Sequence, residues 1–160
     1  MPDTRDRRKR NERRLAIGFV LLVNAVGALP AFVVGADTSW FERPALFPPA
    51  VLFPVVWTAL FTLMGISLSL VWRRDRSRRE VRLALSIFCV QFLLNLAWTP
   101  VFFGLRRPGL GLGVIGALWI AILGTIVAFD RIDRRAAVLL VPYLLWVSFA
   151  AALNYAIYAG

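Results

Sequence analysis

The stretch Leu83–Leu105 reads LALSIFCVQFLLNLAWTPVFFGL, 23 residues without a single Asp, Glu, Lys or Arg. Roughly 20 apolar residues in helical form cross about 30 Å of hydrocarbon, so this stretch is long enough to span a bilayer. Four more charge-free runs flank it: Leu15–Ala36, Pro44–Trp72, Pro108–Phe129 and Ala136–Gly160, of 22, 29, 22 and 25 residues. The chain of 160 residues is 59% hydrophobic and 18% charged, with a mean hydropathy of +0.70. Soluble domains are about half apolar and a quarter charged, so a soluble globule is excluded. A transmembrane β-barrel is excluded as well, because the runs are continuous and do not alternate with period two. The expected fold is an all-α membrane protein, a compact bundle of five transmembrane helices. Its spans fall near 15–35, 50–72, 83–103, 109–129 and 136–158, after a basic tail 1–14 and with an external loop 36–49 between the first two. The first run exceeds the apolar core of a cleaved leader, about 7–15 residues, and is read as a retained span.

The charges orient the bundle. Sixteen of the 19 Lys and Arg residues lie in the tail, in Arg73–Arg82 and in Asp130–Arg135, which share one side; Arg43, Arg106 and Arg107 lie on the other. The positive-inside rule then puts the N-terminus in the cytoplasm and the C-terminus outside, in a multi-pass protein expected in the cell membrane. The net charge of +10 reflects this topology and attraction to anionic headgroups, not nucleic acid. There is no histidine and one cysteine, Cys89, so a histidine base, a disulfide within the chain or a cysteine metal cluster is excluded, and no metal is expected. Ion-coupled transporters keep ionisable groups inside their bundles. The charge-free spans and their odd number therefore argue against a coupled, duplicated transporter.

Helical spacing aligns the few polar groups with the large aromatics. Gln91, Asn95 and Trp98 share one face of the third span, Tyr143, Trp146, Ala150 and Asn154 one face of the fifth, and Phe53, Trp57, Phe61 and Met64 one face of the second. Gln91, Asn95 and Asn154 would serve as interhelical glue, worth about 0.6–2 kcal/mol each. Trp40, Trp72 and Trp98 suit interface anchors. Trp57 and Trp146 lie deeper, and flat rings facing the same interior as amides describe a pocket for a flat amphipathic ligand. Gly109, Gly113, Gly116, Ala117, Ile120, Gly124 and Ala128 form a small-residue seam on the fourth span, expected to pack within the bundle rather than across a dimer. Pro142 is expected to kink the fifth span near its cytoplasmic end.

Four motifs then stand in order: Pro44-Ala-Leu-Phe-Pro48-Pro49; Phe53-Pro-Val-Val-Trp57-Thr-Ala-Leu-Phe61; Gln91-Phe-Leu-Leu-Asn95-Leu-Ala-Trp98-Thr-Pro-Val-Phe102-Phe103; and Pro142-Tyr143-Leu-Leu-Trp146 with Ala150 and Leu153-Asn154. Together, over about Leu15–Tyr158, they resemble the translocator protein family, also known as tryptophan-rich sensory proteins or peripheral benzodiazepine receptors. The resemblance implies a five-helix bundle, commonly a homodimer, whose cavity opens toward the first loop. It implies binding of porphyrins such as protoporphyrin IX and of synthetic isoquinoline carboxamides and benzodiazepines, with cholesterol added in mitochondrial members. Carried over by motif, Trp57, Asn95, Trp98, Trp146, Ala150 and Asn154 would line the cavity, with Phe53, Phe61, Gln91 and Tyr143 beside them on the same stripes. Trp40, Phe41, Arg43, Pro44, Pro48 and Pro49 would form its lid. Some relatives are said to degrade protoporphyrin in light, which would implicate Trp57 and Trp146. Three departures stand out: Trp40-Phe41 almost abuts Arg43-Pro44, shortening the loop; Leu46 stands where many relatives have a second lid tryptophan; and no basic residue follows Tyr158, so the cholesterol pattern is missing.

The expected function is that of a membrane-embedded sensor, scavenger or regulator that binds porphyrin-like tetrapyrroles, protoporphyrin IX or a haem precursor, and similar flat hydrophobic molecules. No cofactor is required; membrane lipid and a second copy of the chain are the other expected partners. The alternatives are a light-dependent porphyrin-degrading enzyme and a transporter of porphyrin or lipid. No conventional acid, base or nucleophile lies in the spans, so no catalytic residue is expected unless the excited ligand itself reacts, with tryptophans as redox partners.

Overall fold

The computed structural model describes residues 4–160. Five helical spans run antiparallel in sequence, as the short connections require. They are α1 (Thr4–Val34), α2 (Leu52–Trp72), α3 (Arg79–Thr99), α4 (Pro108–Asp130) and a fifth span in two pieces, α5 (Arg134–Leu139) and α6 (Val141–Ala159). No strand occurs among the described residues. A lipid core offers no water to backbone N–H and C=O groups, so each apolar run closes its own hydrogen bonds as a helix.

The tail is not separate from the first span. Helix α1 starts at Thr4 and runs through the charged segment into the membrane, since Arg, Lys and Glu are good helix formers; residues 1–3 of the expected tail lie outside the described residues. Helix α3 likewise starts four residues before the apolar run. Its C-terminal end changes form: Pro100–Gly104 make a π-helical turn, with Leu105 N–H donating to Pro100 O at 2.9 Å. Such turns concentrate at functional sites. The fifth span breaks at Leu140, two residues before Pro142, because proline donates no N–H and its ring crowds the carbonyl four residues earlier.

Around the bundle α1 packs on α2 and α3, α3 on α4, and α4 on both pieces of the fifth span. Helix α2 packs on α5 but scarcely on α6, so the break sets the outer half of the fifth span apart from α2. The α1–α2 contact is close enough that a Cβ on Gly65 would lie 2.6 Å from Val20 Cα. The closed core holds Met64, Val81, Phe88, Ile122, Phe129 and Val147, with Phe88 and Phe129 stacked at 5.9 Å. The fourth span turns Gly111, Ile115, Leu118, Ile122, Thr125 and Phe129 inward. The small-residue seam therefore departs from expectation: Cβ atoms on Gly113 and Gly116 would meet nothing within 4 Å, and Ile120 is 68% exposed. Gly124 lies against Ile87 and Ala128 packs on the core, whereas Gly109 is exposed beside Tyr158.

The basic end is locked by Asp133, whose side chain is 5% exposed. Its carboxylate caps α5 through Arg135 N–H at 3.1 Å and accepts from the Arg74 guanidinium at 2.7 Å, joining the loop after α2 to the fifth span. The side-chain hydrogen bonds of Arg135, followed by that of Arg74, hold this carboxyl down at about 2. A depressed carboxyl stabilises the fold above its unfolded pKa, and that stability is lost as pH falls through the folded value. Melting curves in detergent should therefore show the Asp133 contribution complete above about pH 4 and disappearing toward about pH 2. Asp133→Asn should cost about 1–2 kcal/mol at neutral pH and flatten that acid limb. An unchanged acid limb in the variant would remove Asp133 from this role.

Candidate ligand-binding cavity

The space between the outer halves of α2 and α6 is a cavity of about 570 Å³, within the range of about 300–1,000 Å³ typical of small-molecule sites. Helix α2 contributes Phe53, Trp57 and Phe61; α3 contributes Asn95 and Trp98; α6 contributes Trp146 and Ala150. These seven residues of the sequence reading share one cavity wall. Phe53 meets Trp146 edge to face at 6.1 Å, and Trp57 lies 5.3 Å from Phe61. Arg43 and Phe47 from the first loop close the mouth, where the guanidinium donates to Thr38 Oγ1 at 2.8 Å and lies 5.7 Å from the Phe47 ring centre. Arg43 is the only charged residue in the wall among the described residues.

Four residues of the same stripes do not line the cavity: Met64, which lies in the closed core, and Tyr143, Gln91 and Asn154. Tyr143 is fully buried; its hydroxyl accepts from Asn95 Nδ2 at 2.9 Å and donates to Gln91 Oε1 at 3.0 Å. Gln91 is 1% exposed and its Nε2 has no partner among the described residues. Asn154 accepts from the Trp98 indole at 3.2 Å and donates to Pro108 O at 2.8 Å, tying α3, α4 and α6 together. These are the interhelical bonds that buried amides in hydrocarbon require. Asn95 belongs to both groups: its Nδ2 is committed to Tyr143, which leaves Oδ1 as the atom it can offer a ligand.

Beyond Arg43 and Phe47, the lid is an aromatic stack behind the wall. Trp40 packs on Phe41 at 4.8 Å and on Phe102 at 5.4 Å, and Phe102 stacks on Trp98 at 4.9 Å. The π-turn thus carries the ring that connects the loop to the cavity. The Trp40 indole N–H is buried with no partner among the described residues. Phe41, Pro44, Pro48 and Pro49 shape this loop without lining the cavity. Asp37 pairs with Arg106 at 3.3 Å and fastens the loop to the turn before α4, where Arg106 adopts a left-handed backbone with φ 53°. Trp72, expected as an anchor, packs edge-on against Phe19 and carries the Arg76 guanidinium at 4.6 Å from its ring centre.

Spacing alone did not reveal the contribution of α1. Asn24, Gly27, Ala28, Ala31 and Phe32 form one side of the cavity. A Cβ on Gly27 would sit 2.5 Å from the Phe61 ring, so glycine makes the room in which that ring lies. Asn24, the only amide in the first apolar run, was the available signal; it donates to Val20 O and to Thr62 Oγ1.

The division between wall and tie makes a direct test. Tyr143→Phe should lower stability by about 1–2 kcal/mol, because Asn95 and Gln91 lose their shared hydroxyl in a dry interior. It should change ligand affinity far less than a substitution of Trp146. Thermal melts beside binding curves measure both, and a variant that loses affinity but not stability would move Tyr143 into the wall.

Residues 19–159 match the TspO/MBR family. Over 147 residues, 89% of this chain and 91% of the other, the sequence is 42% identical to a "Tryptophan-rich protein TspO" of Chlorobaculum tepidum. It is 36% identical over 143 residues to "Protein CrtK" of Rhodobacter capsulatus, covering 89% of each chain. It is 34% identical over 150 residues to the "Translocator protein" of Homo sapiens, covering 89% of this chain and 88% of the other. With five apolar helices and a match across most of its length, the chain belongs to the TspO/MBR family and is an integral multi-pass membrane protein.

Proposed function

We propose that this protein binds porphyrin-like tetrapyrroles and similar flat hydrophobic molecules within the cell membrane, as a sensor, scavenger or regulator. Its N-terminus is cytoplasmic, and the cavity opens toward the external loop. The observation that carries this reading is the pairing of Trp57 on α2 with Trp146 on α6 in one apolar cavity whose single charged wall residue is Arg43. A flat macrocycle finds ring faces and edges there, Asn95 Oδ1 as an acceptor for a ring N–H, and a guanidinium at the mouth for a carboxylate. The wall holds no Asp, Glu, Lys or Cys among the described residues, so its threonine hydroxyls, Thr38, Thr58 and Thr99, have no base in the wall to activate them. Binding without turnover is the reading it supports; photochemistry would have to start in the ligand.

Protoporphyrin IX titrated in the dark into the detergent-solubilised protein, followed by tryptophan quenching and by the ligand's own absorbance, should saturate. Trp146→Ala should weaken binding by about 1–3 kcal/mol, and the Trp57/Trp146 double alanine variant by more. Arg43→Gln should weaken the free diacid while leaving its dimethyl ester unchanged, because only the diacid presents a charge to the guanidinium. Unchanged affinity in all three variants would overturn the site. Bleaching in light to a defined product would replace binding with catalysis, and accumulation inside proteoliposomes would replace it with transport.

The reading includes a homodimer, supported by the outward Gly113–Gly116 face of α4, where a second helix can approach closely. Replacing both glycines by leucine should shift the particle mass in light scattering from dimer to monomer with porphyrin affinity retained. A mass that does not change would place any dimer contact elsewhere.

A further inference from the structure

A second, smaller pocket of about 210 Å³ lies at the opposite end of the bundle, formed by Lys9, Glu12, Arg13 and Ala16 on α1 and by Arg73 after α2. The positions 9, 12, 13 and 16 are one helical face, turned toward the end of α2. Arg73 is held in place rather than waving in solvent: its Nη1 lies 2.9 Å from Glu12 Oε2, its Nε donates to Ser69 O at 3.2 Å, and its side chain is 28% exposed. Glu12 is the only acid in the pocket, and it is already shared, its other oxygen lying 3.2 Å from Arg8 Nε. Neither Lys9 nor Arg13 has an ion-pair partner among the described residues. The pocket lining therefore carries three cations against one acid, and that acid is engaged twice.

Depth identifies the ligand. The apolar run of α1 begins at Leu15, and α1 is continuous through this point. Lys9 to Arg13 then lie roughly 3–9 Å outside the hydrocarbon boundary, at about 1.5 Å per residue. Headgroups occupy about 5–7 Å on each side of the hydrocarbon core. Trp72, next to Arg73 and partly exposed against Phe19, marks the same interface from α2. A preorganised guanidinium flanked by two unpaired cations, in the layer where lipid phosphates lie, fits one anionic phosphodiester. We propose that this pocket binds the phosphate headgroup of an acidic phospholipid of the surrounding leaflet, pinning α1 to α2 at the end of the bundle away from the cavity.

The test is the melting temperature of the detergent-solubilised full chain titrated with phosphatidylglycerol, phosphatidylcholine or inorganic phosphate. Phosphatidylglycerol should raise it saturably, and the other two should not. In a Lys9→Gln/Arg13→Gln variant, which leaves the Arg73–Glu12 pair in place, the apparent Kd for phosphatidylglycerol should rise about ten- to thirtyfold, the cost of about two headgroup-level cations. Arg131→Gln/Arg134→Gln removes the same charge from the same end of the bundle and should leave that Kd unchanged. Lys9→Arg/Arg13→Lys should restore it, which separates lost charge from lost folding. Equal weakening in both neutralised variants would reduce the effect to general surface charge and overturn the site. An equal rise with phosphatidylcholine, or one reproduced by inorganic phosphate, would overturn the acidic lipid as its ligand.

Discussion

Pro142 has no N–H to give to the Val138 carbonyl and crowds it with its ring, so the fifth span cannot run straight across the membrane. Much of the architecture follows from how that loss is absorbed. Below the break α5 lies against α2 and α4, where the Ser67 hydroxyl donates to Ala136 O at 2.7 Å in a closed core. Above it α6 follows α4 and leaves α2, and ring edges cross the gap, Trp57 to Tyr143 at 6.3 Å and Phe53 to Trp146 at 6.1 Å. On the facing wall Pro100 interrupts α3 in the same half, and the π-turn that replaces regular helix brings Phe102 against Trp40 and Phe41 of the loop and Phe103 into the cavity wall. One half of the bundle is therefore closed and the other hollow.

The hollow half stays apolar because the amides of the bundle are largely used up in tying helices together. Tyr143 joins Gln91 and Asn95; Asn154 joins Trp98 to the start of α4. In hydrocarbon an unpaired amide is costly, so each of these groups is worth more as a tie than as a spare contact. Asn95 lies at the boundary of the two regions and keeps one oxygen over. The wall is left to aromatic and small side chains, with a cation only where the loop meets the mouth. The same economy explains why the lid is built from stacked rings: a loop at the interface with few polar groups to satisfy can close by burying faces of Trp40, Phe41 and Phe102 against one another.

The five spans were legible because a bilayer leaves a 20-residue apolar run no alternative to a helix. The break near Pro142 was legible for an equally local reason. Helical stripes were less informative: Tyr143, Trp146, Ala150 and Asn154 do point to one side, but a shared direction does not say whether the space ahead is filled. Tyr143 meets α3 side chains, whereas Trp146 meets the cavity, and the difference is made by where α2 stands. The α1 wall was hidden because Gly27, Ala28 and Ala31 contribute absence of bulk rather than chemistry. The seam on α4 misled for a related reason. Small residues permit close approach, but the pattern does not say from which side a helix comes, and here Gly113 and Gly116 face away from the bundle.

Such a cavity also constrains how selective its owner can be. A hydrophobic site discriminates weakly between ligands that differ by a methylene, typically about 10–200-fold, and scarcely better against an added hydroxyl; strong rejection needs buried polar groups that a wrong ligand leaves unpaired. Here most of those polar groups are paired within the bundle, and the ones the wall can offer a ligand include the oxygen of Asn95 and the guanidinium of Arg43. Under the proposed reading, shape does most of the selecting: flatness to fit between Trp57 and Trp146, and a length that carries any acidic group to the mouth. Tolerance of several flat amphiphiles is then a physical consequence of building the site in hydrocarbon. The more tightly the bundle is tied by its own amides, the fewer remain to tell one ring system from another.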